Sequence, residues 1–147
     1  MFGKKEIAHK IAHIREVKVS KETYISKATK IIGNIQTEES VVIEGSLVGD
    51  ITITGSTSLI QVTEEGFIEG NIIGPNISID GVVNGDIESS VTIECGSSAR
   101  VLGNIIYSEI QLSLGAEVTG SLSRKTSSSV GGEKYQDFNG QNETSYE

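Results

Sequence analysis

The chain has almost none of the residues that build aromatic or covalently stapled cores. Its 147 residues include no tryptophan, one cysteine (Cys95) and one proline, and only 5% of them are aromatic. A single cysteine excludes an internal disulfide, which fits a reducing compartment. With so few aromatic residues, the core has to be made of Ile, Val and Leu, and these side chains favour strands. The length predicts one domain with a modest core.

Long apolar runs and histidines are also scarce. No run is long enough to span a bilayer, and no secretory hydrophobic segment follows the start. The two histidines, His9 and His13, stand four residues apart near the start, and no motif supplies a third metal ligand. The chain also lacks a G-x-x-x-x-G-K-[ST] phosphate loop, and its carboxylates occur singly or as exposed neighbours. We therefore predict no catalytic residue, no metal and no cofactor.

Charge is distributed unevenly along the chain. The net charge is −8, but residues 1–21 carry +4 and residues 22–122 carry −11. Binding to nucleic acid needs clustered Lys and Arg for the phosphates. An acidic body with scattered basic residues therefore argues against a nucleic-acid partner.

Composition divides the chain into three segments. Residues 1–23 form a basic head, in which Ile7, Ile11 and Ile14 make one helical stripe with lysines on the other faces. Residues 123–147 are polar and aperiodic, which predicts a disordered tail. The repetitive body between them, residues 24–122, holds the aliphatic residues of the core.

One phrase, a glycine followed by a polar residue and an aliphatic one, occurs six times in the body. Its glycines are Gly33, Gly49, Gly70, Gly85, Gly103 and Gly120. The gaps between them run from 15 to 21 residues and average about 17. Self-similarity at such a period is the signature of a solenoid.

A turn of about 17 residues accommodates three short strands and three tight corners. Short alternating segments are present in most repeats, for example Val41–Ile43, Ile51–Ile53 and Ile77–Ile79. Stacked turns of this kind form a parallel β-helix, with aliphatic residues in inward columns and glycines at the corners. We therefore predict an all-β, single-stranded parallel β-helix of about six turns with flexible termini.

Two other folds compete with this prediction. The Asn84-Gly85 dipeptide favours a type I′ hairpin turn, as in an antiparallel sandwich or barrel, but hairpins do not explain the full period. A left-handed β-helix with hexapeptide repeats is the second alternative. Aliphatic residues follow a period of six through Ile35, Val41, Leu47, Ile53 and Leu59, and the pattern fails at Glu65. The residues alone leave the handedness open.

The repeats resemble those of a known family. Residues 24–122, about two-thirds of the chain, are similar to the bactofilins, polymer-forming cytoskeletal proteins of bacteria, in the segments IEGSLVGDI, EGFIEGNI, IDGVVNGDI and ARVLGNI. The resemblance implies a right-handed β-helix that stacks end to end, without nucleotide, into non-polar filaments. A bactofilin would be a scaffold that organises cell shape or envelope-associated proteins, and not an enzyme.

The first five residues also resemble the short Met-Phe plus basic leader by which bactofilins attach to membranes. The resemblance implies that this chain is cytoplasmic and peripheral on the inner face of the membrane, with lipid and cell-envelope proteins as partners beside the homopolymer. The membrane-binding residues would be Met1, Phe2, Lys4 and Lys5. The head of this chain carries a helix-like isoleucine stripe and is longer than such a leader requires.

An uncapped β-helix presents unpaired backbone groups and apolar side chains at both ends. The candidate polymerisation residues are Ile31, Ile32 and Ile35 in the first turn and Leu112, Leu114, Val118 and Leu122 in the last. The alternative function is a β-helical enzyme, either a hexapeptide-type acyltransferase or a carbohydrate-active enzyme. It requires a groove with clustered acidic and basic residues, and an acyltransferase also needs a histidine base.

Overall fold

The computed structural model describes residues 21–126, which are built from strands with no helix among them. Apart from residues 21–23 and 123–126, the predicted head and tail lie outside this range. The strands are β1 (Glu22–Ile25), β2 (Lys30–Ile32), β3 (Ile35–Thr37), β4 (Ser40–Ile43), β5 (Ser46–Val48), β6 (Ile51–Ile53), β7 (Leu59–Val62), β8 (Phe67–Glu69), β9 (Ile72–Ile79), β10 (Val82–Asn84), β11 (Ile87–Cys95), β12 (Arg100–Leu102), β13 (Ile105–Tyr107), β14 (Glu109–Leu112), β15 (Glu117–Thr119) and β16 (Leu122–Arg124).

The strands wind into six turns, and each turn contributes one strand segment to each of three faces. The first face contains β1, β4, β7, the later halves of β9 and β11, and β14. The second face is the six-stranded sheet β2-β5-β8-β10-β12-β15. The third face contains β3, β6, the early halves of β9 and β11, β13 and β16.

All of these strand pairs are parallel, which confirms the predicted β-solenoid of about six turns. At Asn84-Gly85 the chain does not fold back as a hairpin, because β10 pairs in parallel with β8 and β12. The right-handed winding that the family resemblance implies stays a prediction.

Aliphatic residues stack in columns along the solenoid, as the alternating pattern predicts. On the second face, the column in register is Ile31, Leu47, Ile68, Val83, Val101 and Val118. Its four central members are buried, and similar columns of Ile and Val line the other two faces. The interior is therefore one continuous, narrow apolar core.

The repeated glycines form a corner ladder between the second and third faces. Gly70 has φ +154°, and a Cβ there would fall on the carbonyl oxygen of Gly49 in the turn before. The same clash recurs at Gly49 and at each later glycine of the phrase, whereas a Cβ on Gly33 would meet nothing within 4 Å. These positions need glycine both for a backbone that L-residues rarely adopt and for close packing of successive turns.

The residue after each of these glycines forms a second ladder. The backbone N–H of Asp50 donates to Asn34 Oδ1 at 2.9 Å, and the N–H of Asn71 donates to Asp50 Oδ1 at 2.9 Å. The pattern continues through Asp86 and Asn104 to Ser121. Each side chain thus satisfies a backbone donor of the next turn, which fixes the register at this corner.

Two irregularities interrupt the repeat. The strand register shifts between Ser89 and Thr92, where the buried Ser89 hydroxyl donates to Pro75 O at 2.7 Å. Between β6 and β7 the chain forms a loop, residues 54–58, and Leu59 after it is exposed. Leu59 therefore does not face the core, although the sequence period of six includes it.

Candidate functional site

The first turn forms an open end of the solenoid. Strands β1, β2 and β3 pair only with β4, β5 and β6 among the described elements, so their other edges present unpaired backbone groups. Ile31 and Ile35 end inward columns and are half-buried, whereas their neighbours Leu47 and Ile51 are fully buried. Two inward columns are therefore only partly covered at this end, although Ile25 in the same turn is buried.

The last turn forms an equivalent open end. Strands β14, β15 and β16 pair only with the preceding turn among the described residues. Leu112 and Leu122 end inward columns and are 44% and 43% exposed, while Val118 is half-buried. Their column neighbours Cys95 and Ile105 are buried, which shows what another turn would cover.

Two of the predicted polymerisation residues do not belong to the core columns. Ile32 is in register with Val48 on the outer side of the second face and is 77% exposed. Leu114 is at the tip of the turn between β14 and β15, closed by Ala116 N–H to Ser113 O, and is 95% exposed. Leu114 therefore lies at an exposed corner of the last turn, and Ile32 lies on the outward side of the second face.

Sequence reasoning missed Ile110 as a candidate end residue. Ile110 is in register with Ile93 and is the last member of an inward column, where it is half-buried. The alternation of Ile110 and Leu112 around an outward Gln111 is the signal that identifies it. The last turn therefore ends four inward columns, at Ile110, Leu112, Val118 and Leu122.

The sides of the rod are acidic. The described residues carry 14 carboxylates against six Lys and Arg side chains. Ion pairs join Lys27 to Glu65 at 3.0 Å and Lys125 to Glu88 at 3.0 Å, and their side chains are largely exposed. Hydrogen bonding and attraction to Glu65 raise the pKa of Lys27, and a hydrogen bond to Glu44 raises the pKa of Tyr24. Such exposed pairs contribute little to stability.

The described surface carries shallow grooves, and one cysteine lies beneath it. Two shallow grooves, each about 300 Å³, lie along the third face, and one of them contains the Lys125–Glu88 pair. Cys95 is buried, and burial together with nearby Asp80 raises the pKa of its thiol to about 11. At neutral pH this thiol is protonated and unreactive. No group of three metal-ligating side chains occurs among residues 21–126.

The predicted membrane-binding residues, Met1, Phe2, Lys4 and Lys5, lie outside the described residues. Within the part of the chain that the structure describes, no helix has the length and apolarity to cross a bilayer.

The fold defines a class of protein, a parallel β-solenoid whose first and last turns have no further strand partner among the described residues. Residues 23–123 match the family model described as "Bactofilin: Polymer-forming cytoskeletal". The match covers more than half of the chain and nearly all the strands, so the chain belongs to the bactofilin family.

A curated relative agrees with this assignment. The chain is 31% identical over 108 residues to Bactofilin BacO of Myxococcus xanthus, which covers 74% of this chain and 83% of that protein. No solved structure matches the chain. Membership in a polymer-forming cytoskeletal family points to a structural protein rather than an enzyme, and to self-association.

Proposed function

We propose that this chain polymerises end to end, without nucleotide, into filaments that serve as a cytoskeletal scaffold. The observation that carries the proposal is the break in burial at the two ends. Inward columns that are buried inside the rod end half-buried at Ile31 and Ile35 in the first turn, where Ile25 stays buried, and every inward column named in the last turn ends half-buried or exposed. Another solenoid end supplies both the missing apolar neighbours and the missing strand partners. Like-charge repulsion between the acidic sides disfavours disordered clumping.

The filaments in this proposal are non-polar, so that first turn meets first turn and last turn meets last turn. A cationic side chain at Val118 then blocks one kind of joint and leaves the other intact. We expect Val118→Arg to abolish filaments in electron micrographs and to yield dimers, of about twice the 15.6 kDa chain mass, by light scattering. A polar filament with the same substitution would yield monomers, because all its joints are alike.

The control is Gln111→Arg, which places the same charge in the same turn on an outward side chain. We expect this variant to form filaments, and both variants to keep the β-rich circular dichroism spectrum. Filaments of Val118→Arg as long as those of the unchanged chain would show that the last turn is not a joint.

Attachment to the inner face of the membrane is the second element of the proposal. Phe2 would insert at the lipid interface, while Lys4 and Lys5 would meet anionic headgroups at about 1 kcal/mol for each basic residue. One head binds weakly, but a filament presents many heads, and this avidity strengthens the attachment. The protein would then be cytoplasmic and peripheral, and it would organise envelope-associated proteins or cell shape.

Flotation of anionic vesicles in a density gradient tests the attachment, because filaments alone sediment and do not float. The full chain should float with vesicles containing phosphatidylserine, and a chain that lacks residues 1–5 should stay largely at the bottom of the gradient. Neutral vesicles are the control for electrostatics, and Val118→Arg, which stops at dimers, shows how much of the binding depends on many heads in one filament. Equal flotation of the full and shortened chains would contradict the role of the head.

A further inference from the structure

The outward side of the second face differs in charge from the rest of the rod. Its strands have three residues each, and the middle one points inward, so that two columns point outward. These columns contain two cations, Lys30 and Arg100, and two carboxylates, Glu69 and Glu117. The face is therefore neutral on a rod whose described residues are strongly acidic.

The first outward column is arranged with opposite charges at its two ends. In register from the first turn to the last, it reads Lys30, Ser46, Phe67, Val82, Arg100 and Glu117. Its two middle members are apolar and half-buried, and its end members are exposed.

We propose that this face binds the same face of a second copy, with the two rods side by side and antiparallel. A two-fold axis along the strand direction sets turn one against turn six, two against five and three against four. Lys30 then meets Glu117 of the second copy, and Phe67 meets Val82 of the second copy. Each end thus brings Lys30 of one copy to a Glu117 that also pairs with Arg100 of its own protomer at 3.5 Å, around an apolar centre.

The second outward column fits the same arrangement. It reads Ile32, Val48, Glu69, Asn84, Leu102 and Thr119 from the first turn to the last. The antiparallel axis sets Val48 against Leu102 of the second copy. It also sets Glu69 against the Asn84 amide, a hydrogen-bond donor for the carboxylate. Ile32, which is 77% exposed and points sideways, gains cover from Thr119 of the second copy.

Other arrangements are less complementary. A two-fold axis parallel to the rods exchanges the two columns and sets Phe67 against Glu69 of the second copy. On the first face, the antiparallel axis would bring the exposed Glu22 against Glu109 of the second copy. On the third face, it would set Ile73 against Glu88 of the second copy. Only the second face is self-complementary in charge and apolarity.

The contact area per protomer is small. Six strands at ~4.8 Å and three residues at ~3.3 Å give a face of roughly 300 Å², so a pair of protomers buries roughly 600 Å² in total. Stable complexes bury about 1,200–2,000 Å². Lateral pairing therefore requires many protomers aligned in a filament, where weak contacts add. The inference rests on the proposed end-to-end assembly.

Electron microscopy of the full chain tests the lateral contact with a matched pair of substitutions in the fourth turn. Val82→Lys puts a charge at the apolar centre of the second face, and Ser78→Lys puts the same charge on the first face. Filaments of Val82→Lys should run singly, while those of Ser78→Lys should run in pairs like the unchanged chain. Pairing in Val82→Lys as frequent as in the unchanged chain would overturn the inference.

Disulfide trapping tests the antiparallel alignment. Val48 and Leu102 are three turns apart within one protomer, so V48C and L102C combined can bond only between copies. Mild oxidation of paired filaments should give covalent dimers for the double variant and none for either single variant, and buried Cys95 should not interfere. Failure of the double variant to cross-link would overturn the alignment. If the unchanged chain forms only single filaments, the lateral inference fails alone; if it forms no filaments, the proposed function fails too.

Discussion

At the corner between the second and third faces, the backbone of the preceding turn of the solenoid determines that the residue is glycine. Five of the repeated glycines sit directly over the carbonyl oxygen of the preceding glycine, and Gly33 alone has no turn before it among residues 21–126. The sequence shows the six glycines, and their spacing predicts corners. It does not show that a backbone carbonyl occupies the space of each Cβ, because that contact exists only once the turns stack.

Alanine substitutions at two of these glycines separate the two causes. Gly70→Ala and Gly33→Ala share the backbone strain, since both have positive φ, but only Gly70→Ala adds the clash with Gly49. We expect Gly70→Ala to lower the free energy of unfolding by at least ~2 kcal/mol more than Gly33→Ala does. Urea denaturation of both variants measures the difference, and equal losses would show that the close packing is not required.

The buried thiol predicts a pH dependence of stability. Its pKa rises from an ordinary 9.0 to about 11 in the folded chain, because burial disfavours the thiolate. Between these values the unfolded chain loses the proton and the folded chain keeps it, so stability falls as pH rises from 9 to 11. Replacing Cys95 with Val should make this fall smaller in thermal melts at several pH values. Parallel curves for the two proteins would contradict the assignment.

At the scale of strands, the sequence predicts where the strands lie better than it predicts which side chains point inward. The alternation in Val41–Ile43 and Ile51–Ile53 identified strands that the structure contains. In a strand of three residues, however, alternation is too short to set its phase. Ile31 and Ile32 look alike in sequence, and only their register with Leu47 and Val48 shows that one points inward and the other outward. For that reason the sequence alone does not separate the inward Ile31 from the outward Ile32.

The side-chain ladder beside the glycines alternates amide and carboxylate, so that Asp50 and Asp86 are separated by Asn71. Asn71→Asp keeps the acceptor but places three carboxylates in consecutive turns, at roughly 4.8 Å spacing. Repulsion should lower the free energy of unfolding by about 1–3 kcal/mol at pH 7 and by less at pH 3. Urea titrations at both pH values test this, with Asp86→Asn as a control in which repulsion does not increase.

At the scale of the whole molecule, the sequence predicts repetition and an aliphatic core, and the structure agrees with the predicted solenoid. What the sequence leaves open is how the rods meet. Joints at the ends depend on which columns emerge there, and lateral contacts depend on the outward columns of a single face. Both are properties of stacked turns, so neither is visible in any one repeat.

Cryo-electron microscopy of filaments formed by the full chain without nucleotide tests the central claim most directly. End-to-end stacking predicts a nearly continuous strand spacing of ~4.8 Å along the filament axis and ~29 Å per protomer, the length of six turns. Two protomers related by a two-fold axis should form the repeating unit of a non-polar filament. Strands that run along the axis, or a protomer spacing well below 29 Å, would contradict the account.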